Sequence, residues 1–274
     1  GQCIDIAEGG TELIVEEGPL DARWQSVADV ADLLAHLIPE VRNLVGVHRV
    51  TGDEGHLGLT RTGEGDDLVE IAGLHQLLLD ALGDLLLDLA RSTAMRYNCN
   101  LPHISRIDEY ATKLFDGLRR VHGLSTRHRL LLRMSALLHE TGKFVNLRNY
   151  PLHSWQIIMG TDIFGITDAE KEVIACISYY YHRDNPGKKD VHYQRLTQDQ
   201  KIIADKCCAI LRLADALDQG HSGRIQDLSV RLVKEKLYVN YTSEYDISLI
   251  RWSFAQASVL FREIFGIEPV LRRK

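Results

Sequence analysis

What this sequence lacks removes several classes of protein at once. No stretch is long and apolar enough for a membrane span, and no secretory signal peptide is visible. A basic surplus is absent too: the formal net charge is −6, which argues against a general or sequence-specific nucleic-acid binder. The five cysteines (Cys3, Cys99, Cys176, Cys207 and Cys208) lack metal-ligand spacing, and Cys207–Cys208 sits within an apolar pattern. Reduced thiols in a cytoplasmic protein are therefore expected, not a disulfide framework. Internal repeats and low-complexity tracts are missing. The segment "GQCIDIAEGG" opens the chain without Met and is already strand-like, as expected of a trimmed or partial polypeptide.

What is present is globular. Hydrophobic residues make up 45% and charged residues 26% of 274 positions, enough to bury a core in one large or two ordinary domains. Residues 1–17 read as strand, glycine turn and strand. "SVADVADLLAHLI" has helical spacing, "NLVGVHRV" reads as a buried strand, and the Gly- and Asp-rich residues 51–67 read as loop. Residues 68–97 are helical and heavily apolar, and a boundary is expected near 98–101.

Beyond that boundary the chain reads as helix after helix. Asn100 and Pro102 suit a helix start, followed by the inward set Ile104, Ile107, Ala111, Leu114, Phe115 and Leu118 up to Gly123. A second helix is predicted from Ser125 to Phe144 and a third from about His153. A fourth follows the capping pair Thr167–Asp168 and ends near His182, and a fifth covers 198–218. "LSVRLVKEKLYVNYTS" alternates like a β-hairpin, and "DISLIRWSFAQASVLFREIF" is an amphipathic helix. The expected division is 1–97, 98–222 and 223–274, in a mainly α protein that is α+β overall.

Within these helices a set of chemically demanding side chains falls on apolar faces. His103 shares its face with Ile107 and Ala111, His139 and Glu140 end the apolar "SALLHETGKF", and Asp215 follows Leu211 by four residues. His153 and His182 stand on intervening helices. A carboxylate facing a dry core must find a cation or be neutralised, and imidazoles and carboxylates from separate helices can build a divalent metal site. Lys143, one turn after His139, and Arg183 are placed to meet phosphate oxygens. Each residue singly has an ordinary reading: an inward histidine hydrogen-bonded in the core, Asp215 salt-bridged to Arg212 or capping a helix, Lys143 and Arg183 solvated. Spacing alone leaves both readings standing.

"HISRIDEYATKLFDGL", "ALLHETGKF", "HSWQII", "YHRDNP" and "ILRLADALDQGH", with "LIRWSFAQASVLFREIFGIEPVLRRK", resemble the exopolyphosphatase / guanosine pentaphosphate phosphohydrolase family. The resemblance covers roughly 85–274 and implies an HD-type helical domain with a small C-terminal α/β segment. It also implies metal ligands at His103, His139, Glu140 and Asp215, with His153 and His182 as accessory histidines and Tyr181 where two-metal relatives often carry another histidine. Glu140 stands where the HD motif has Asp. Lys143 and Arg183 become phosphate-binding. The ion would be divalent (Mg, Mn, Fe or Zn), the ligand polyphosphate or a phosphorylated nucleotide, and the assembly a homodimer, with the apolar helices at 68–97 and 249–266 as candidate interfaces.

The family's hydrolytic centre lies in an actin-like pair of domains with a phosphate loop of the pattern Asp-x-Gly-Gly-Gly-Ser-Thr-Glu. Here "DIAEGGTEL" aligns with it, and Ala7 and Glu8 replace two loop glycines. Glu8 would set a negative charge where phosphate should sit, and the side chains would obstruct the close backbone approach. The expectation is that residues 1–97 are a partial, degenerate actin-like region and that the usual catalytic centre is not assembled by these residues, so the catalytic residues stay unassigned. Two functions then compete. One is a metal-dependent phosphohydrolase working through the HD-type pocket. The other is an inactive regulatory, anion-binding or dimerisation module, and a structural domain with no ligand is a third reading.

Overall fold

The computed structural model describes residues 13–14, 46–49, 57–60, 67–182 and 190–274. The expected helix "SVADVADLLAHLI", the first strand of residues 1–17, the phosphate-loop segment at Asp5–Glu12 and Arg183 lie outside them. The chain divides into two compact units, 1–80 and 81–274.

In the first unit, β1 (Leu13–Ile14), β2 (Gly46–Arg49) and β3 (Leu57–Thr60) form an antiparallel sheet in the order β1-β3-β2, with Val47 opposite Leu59. β2 falls within the buried strand expected from "NLVGVHRV". β3 falls in the stretch expected to be loop, because its Gly-rich alternation is too short to register as a strand without its partners.

Helix α1 (Asp67–Arg96) runs across the boundary between the units. The second unit continues with α2 (Leu101–Gly117), α3 (Thr126–Leu138), a 3-10 turn (Thr141–Phe144), α4 (Tyr150–Gly160), α5 (Asp168–Tyr180), the short α6 (Val191–Gln194) and α7 (Gln198–Leu217). After them come β4 (Asp227–Val233), β5 (Lys236–Thr242), α8 (Ser248–Phe265) and β6 (Glu268–Arg273). The protein is mainly helical, with a small C-terminal sheet. No helix among the described residues is long and apolar enough to cross a membrane.

Local chemistry sets most helix starts. Asn100 Oδ1 accepts the backbone N–H of His103, and Pro102 occupies the first turn of α2, where a missing N–H costs nothing. Ser125 with His128, Thr167 with Glu170 and Thr197 with Gln200 close reciprocal caps on α3, α5 and α7. The helices bury one shared core, to which α2 contributes Ile104, Ile107 and Leu114, α5 contributes Ile174, and α7 contributes Cys207 and Leu211.

The segment expected to be one helix from Ser125 to Phe144 is broken. α3 ends at Leu138, and Thr141 Oγ1 donates to Leu138 O over 2.8 Å, satisfying a carbonyl that the helix leaves open. A Cβ on Gly142 would lie 2.0 Å from Tyr150 O and 2.4 Å from Ser154 N, so this contact with the backbone of α4 requires glycine. Ser154 fastens it: its Oγ donates to His139 O (2.7 Å) and accepts from Gly142 N (2.8 Å).

β4 and β5 form the expected hairpin, with Val230 opposite Val239 and Leu237, Val239 and Tyr241 turned inward. β6 extends it as a third strand parallel to β5, joined to it through α8. The hairpin-plus-helix reading of 223–274 lacked this strand. The core-facing Ile250, Phe254 and Phe261 of α8 contrast with exposed Leu249, Trp252 and Val259 on the same helix.

Candidate metal site

The break after α3 and the ends of α2 and α7 bring the predicted residues together. His103 lies on the first turn of α2 and is fully buried. Its Nδ1–H donates to Asp218 Oδ2 at 2.7 Å, an assignment forced by the carboxylate, which can only accept. Its Nε2 then points into the pocket, 3.6 Å from both Glu140 Oε1 and Asp215 Oδ1, with no hydrogen-bond partner. His139 repeats the arrangement. Its Nδ1–H donates to Ala136 O at 2.7 Å, and its buried Nε2, also without a hydrogen-bond partner, lies 3.9 Å from Asp215 Oδ1. Histidines that ligate metals are commonly oriented this way, with the distal N–H donated to a carboxylate or a carbonyl.

Two side chains that the linear motif did not single out complete the pocket. Asp218, buried at the end of α7, holds His103 and is itself held by Arg106 Nε (3.0 Å) and by the backbone N–H of Gly223 (2.8 Å). His221 stacks on His103 with ring centroids 3.7 Å apart, and its Nε2 is 3.7 Å from Glu140 Oε1. The sequence signal for Asp218 was its three-residue spacing from Asp215, whereas His221 lies past the end of α7 and had none.

The donors fall into two overlapping triads, His103–His139–Asp215 and His103–Glu140–His221, each with ligand atoms within 4.8 Å of one another. Glu140 thus joins His103 in company with His221, while Lys143 Nζ contacts its Oε1. Donors bound to one first-row ion at about 2.1 Å sit roughly 3 to 3.5 Å apart, so separations of 3.6–3.9 Å need only small contractions. A mixed imidazole and carboxylate set suits Zn, Fe or Mn.

Without an ion the two imidazoles differ in charge, and a cation at this site would have to displace the extra proton of His103. Burial alone would lower the pKa of His103, but the Asp215 and Asp218 carboxylates reverse this and push it up to about 9. Burial holds His139 below its usual value, hence neutral with a free Nε2 lone pair. Burial would raise Glu140, yet His139 and Lys143 hold it below the usual carboxylate range. Asp215 is likewise held down against burial, chiefly by His103, with help from His139 and His182.

The remaining predicted residues are placed differently. Lys143 pairs with Glu140 and lies over the Tyr150 ring, 5.1 Å from its centroid. His153 meets Gln156 Oε1 at 3.0 Å and belongs to neither triad. His182 is exposed, its ring 6.0 Å from that of Tyr150. Tyr181 sets its ring edge-on to His139 (4.7 Å), and its hydroxyl is 2.7 Å from that of Tyr150. Arg212 Nε donates to Tyr181 O, so its guanidinium binds the end of α5.

The family model described as Ppx/GppA phosphatase, domain III, matches residues 89–256, more than half of the chain. The chain belongs to the Ppx/GppA phosphatase family. Every residue of the two triads lies inside the matched Ppx/GppA region. Over 126 residues the chain is also 33% identical to the guanosine-5'-triphosphate,3'-diphosphate pyrophosphatase of Aeromonas hydrophila subsp. hydrophila, a match covering 46% of this chain and 25% of that relative. The stretch of Ppx/GppA sequence shared with this relative is thus about a quarter of the relative's length.

Proposed function

We propose that residues 81–274 form a divalent-cation-dependent unit that binds and hydrolyses phosphoanhydrides of the polyphosphate or guanosine-polyphosphate kind. One observation carries this reading: two fully buried imidazoles are oriented through Nδ1 so that both Nε2 atoms, free of hydrogen bonds, converge on carboxylates. Other buried groups here, such as His122 Nε2, also lack a partner, and what sets these two apart is that both face carboxylates. His103, His139, Glu140 and Asp215 would hold the ion. When bound, the ion supplies Lewis-acid polarisation of a phosphoryl oxygen and acidifies water.

The side chains around it have separable tasks. Asp218 and Ala136 O fix the two imidazoles in the tautomer that presents Nε2. Lys143, already against Glu140 Oε1, contributes positive charge for a phosphoryl oxygen, and Arg183 is the second candidate for that role. Exposed Leu249, Trp252 and Val259 on α8 support the expectation of a homodimer.

A second reading has its own observation. Lys143 already pairs with Glu140, with the His221 ring beside it, so the carboxylate has a cation without a metal, as an anion-binding or regulatory module would allow. One experiment separates the two. Protein purified without added metal is assayed for bound transition metal and for turnover of polyphosphate and guanosine pentaphosphate, alongside His139→Ala. Stoichiometric metal and turnover, both lost in the variant, support the enzyme. Absence of both in the wild type, with polyphosphate binding retained, supports the module and sinks the enzyme.

A further inference from the structure

Phe144 is a large aromatic residue left in water beside a buried pocket, 64% exposed. It does not sit on a slack loop. Lys143 N–H donates to Glu140 O (2.9 Å), and the Val145 and Asn146 N–H groups both donate to Gly142 O (3.0 and 3.1 Å). Gly142 is itself locked against the backbone of α4. The Phe144 ring meets Tyr97 edge to face, with centroids 5.8 Å apart and planes at 79°. Tyr97 is fixed as well. Asn98, in left-handed backbone (φ +52°), ends α1, with its N–H donated to Met95 O and the Cys99 N–H to Ala94 O, both at 3.0 Å.

Both turns border the metal pocket. Lys143, the neighbour of Phe144, reaches Glu140 Oε1. Cys99, two residues beyond Tyr97, is close enough to Glu140 and Lys143 for both charges to act on its thiol, which burial pushes up to about 12. One pinned turn thus presents a cation to the pocket and an aromatic ring to the rim, on adjacent residues. Val145 and Leu147, exposed on the same stretch, add apolar surface. Bare polyphosphate has charge for the cation and nothing for the ring. A nucleoside polyphosphate matches both, with phosphates for the ammonium and a flat base for the aromatic face.

We propose that Phe144, backed by Tyr97, stacks on the nucleobase of a nucleoside polyphosphate whose phosphates lie at the metal pocket. This rests on the phosphohydrolase reading above and selects, within it, the nucleotide over bare polyphosphate. Every base has a π face, so the ring favours a nucleoside without discriminating among bases.

The test is isothermal titration of the full chain with guanosine 5'-triphosphate and with inorganic tripolyphosphate, each as its magnesium complex. Wild type is compared with Phe144→Ala, Phe144→Leu and Phe144→Trp. Phe144→Ala is expected to bind the nucleotide about tenfold more weakly, the loss of one stacked base. Phe144→Leu keeps apolar area without a π face and is expected to lose most of the same affinity, whereas Phe144→Trp retains it. Tripolyphosphate has no base and is expected to bind wild type and variants alike. If wild type binds both anions and Phe144→Ala holds the nucleotide equally tightly, the inference falls while the phosphohydrolase reading stands. An equal loss for both anions in Phe144→Ala also overturns it, because the ring then supports the pocket and reads no base. If Phe144→Ala changes only self-association in sedimentation velocity, the ring serves an interface between copies and the inference falls. If neither anion binds wild type, the phosphohydrolase reading itself fails and this inference with it.

Discussion

Asp218 offers the sharpest test of how the pocket is held. Its carboxylate is 1% exposed and accepts from His103 Nδ1 (2.7 Å), from Arg106 Nε and a second guanidinium nitrogen (3.0 and 2.9 Å), and from the Gly223 N–H (2.8 Å). Asp218→Ala strands all of these donors. Removing one partner of a buried charged pair costs about 3–5 kcal/mol. Arg106 is 25% exposed and can turn to water, which places the expected loss near the lower end, about 3 kcal/mol. In a unit of this size that lowers Tm by about 6–12 °C. Asp218→Asn keeps an acceptor for Gly223 but sacrifices the charge, and a loss of about 1–2 kcal/mol follows. Thermal unfolding of the metal-free protein, read by calorimetry, checks both numbers. Cobalt affinity should drop about 10–100-fold in the same variants, because His103 loses its orienting partner. A Tm within about 1 °C of wild type for Asp218→Ala would refute the view that this carboxylate organises the site.

The other expectations concern titration and the turn after α3. The folded protein binds the His103 proton more tightly than the unfolded chain, with a pKa of about 9 against 6.5. That stabilisation is complete below pH 6.5 and disappears as pH rises through 9, a loss of up to about 3 kcal/mol. Urea unfolding of metal-free protein at intervals from pH 6.5 to 9.5 should show the decline, and His103→Gln should flatten it; an equal slope in that variant contradicts the assignment. Gly142→Ala forces a Cβ against the backbone of α4 and should destabilise by about 3 kcal/mol, the upper end for overpacking. Wild-type stability in that variant would show that the turn has slack. Ser154→Ala leaves His139 O and Gly142 N without their hydroxyl and should cost about 2 kcal/mol in a denaturant titration. An effect below about 0.5 kcal/mol would place those groups in contact with water instead.

Much of this could be read from the residues, and the failures share a cause. Caps are local chemistry, so Asn100 and Thr167 marked helix starts that the structure contains. His103, His139, Glu140 and Asp215 stood out because each interrupts an apolar stripe, and the structure brings them to one pocket. The stop at Leu138 was missed because apolar spacing carries on through Phe144, and what ends α3 is the approach of α4 to Gly142, which is tertiary. His221 had no periodicity to betray it, since it lies past the end of α7 in left-handed backbone. The division of Glu140 from His139 and Asp215 depends on contacts with Lys143 and His221 that no linear pattern encodes. β6 is short and takes its identity from a parallel partner beyond an intervening helix.

The pairs His103–Asp218, Arg106–His221 and Tyr110–Ile225 all join residues 115 positions apart. In a helical protein, where most contacts are local and fast to form, this seam is the exception. Closing a loop of that length costs about 2 kcal/mol more chain entropy than closing one of ten residues, so the seam is expected among the last parts to knit during folding. Anything gripping both sides of it acts as a clasp on the stretch from His103 to Ile225. Its influence would register mainly as slower unfolding, with the folding rate little changed.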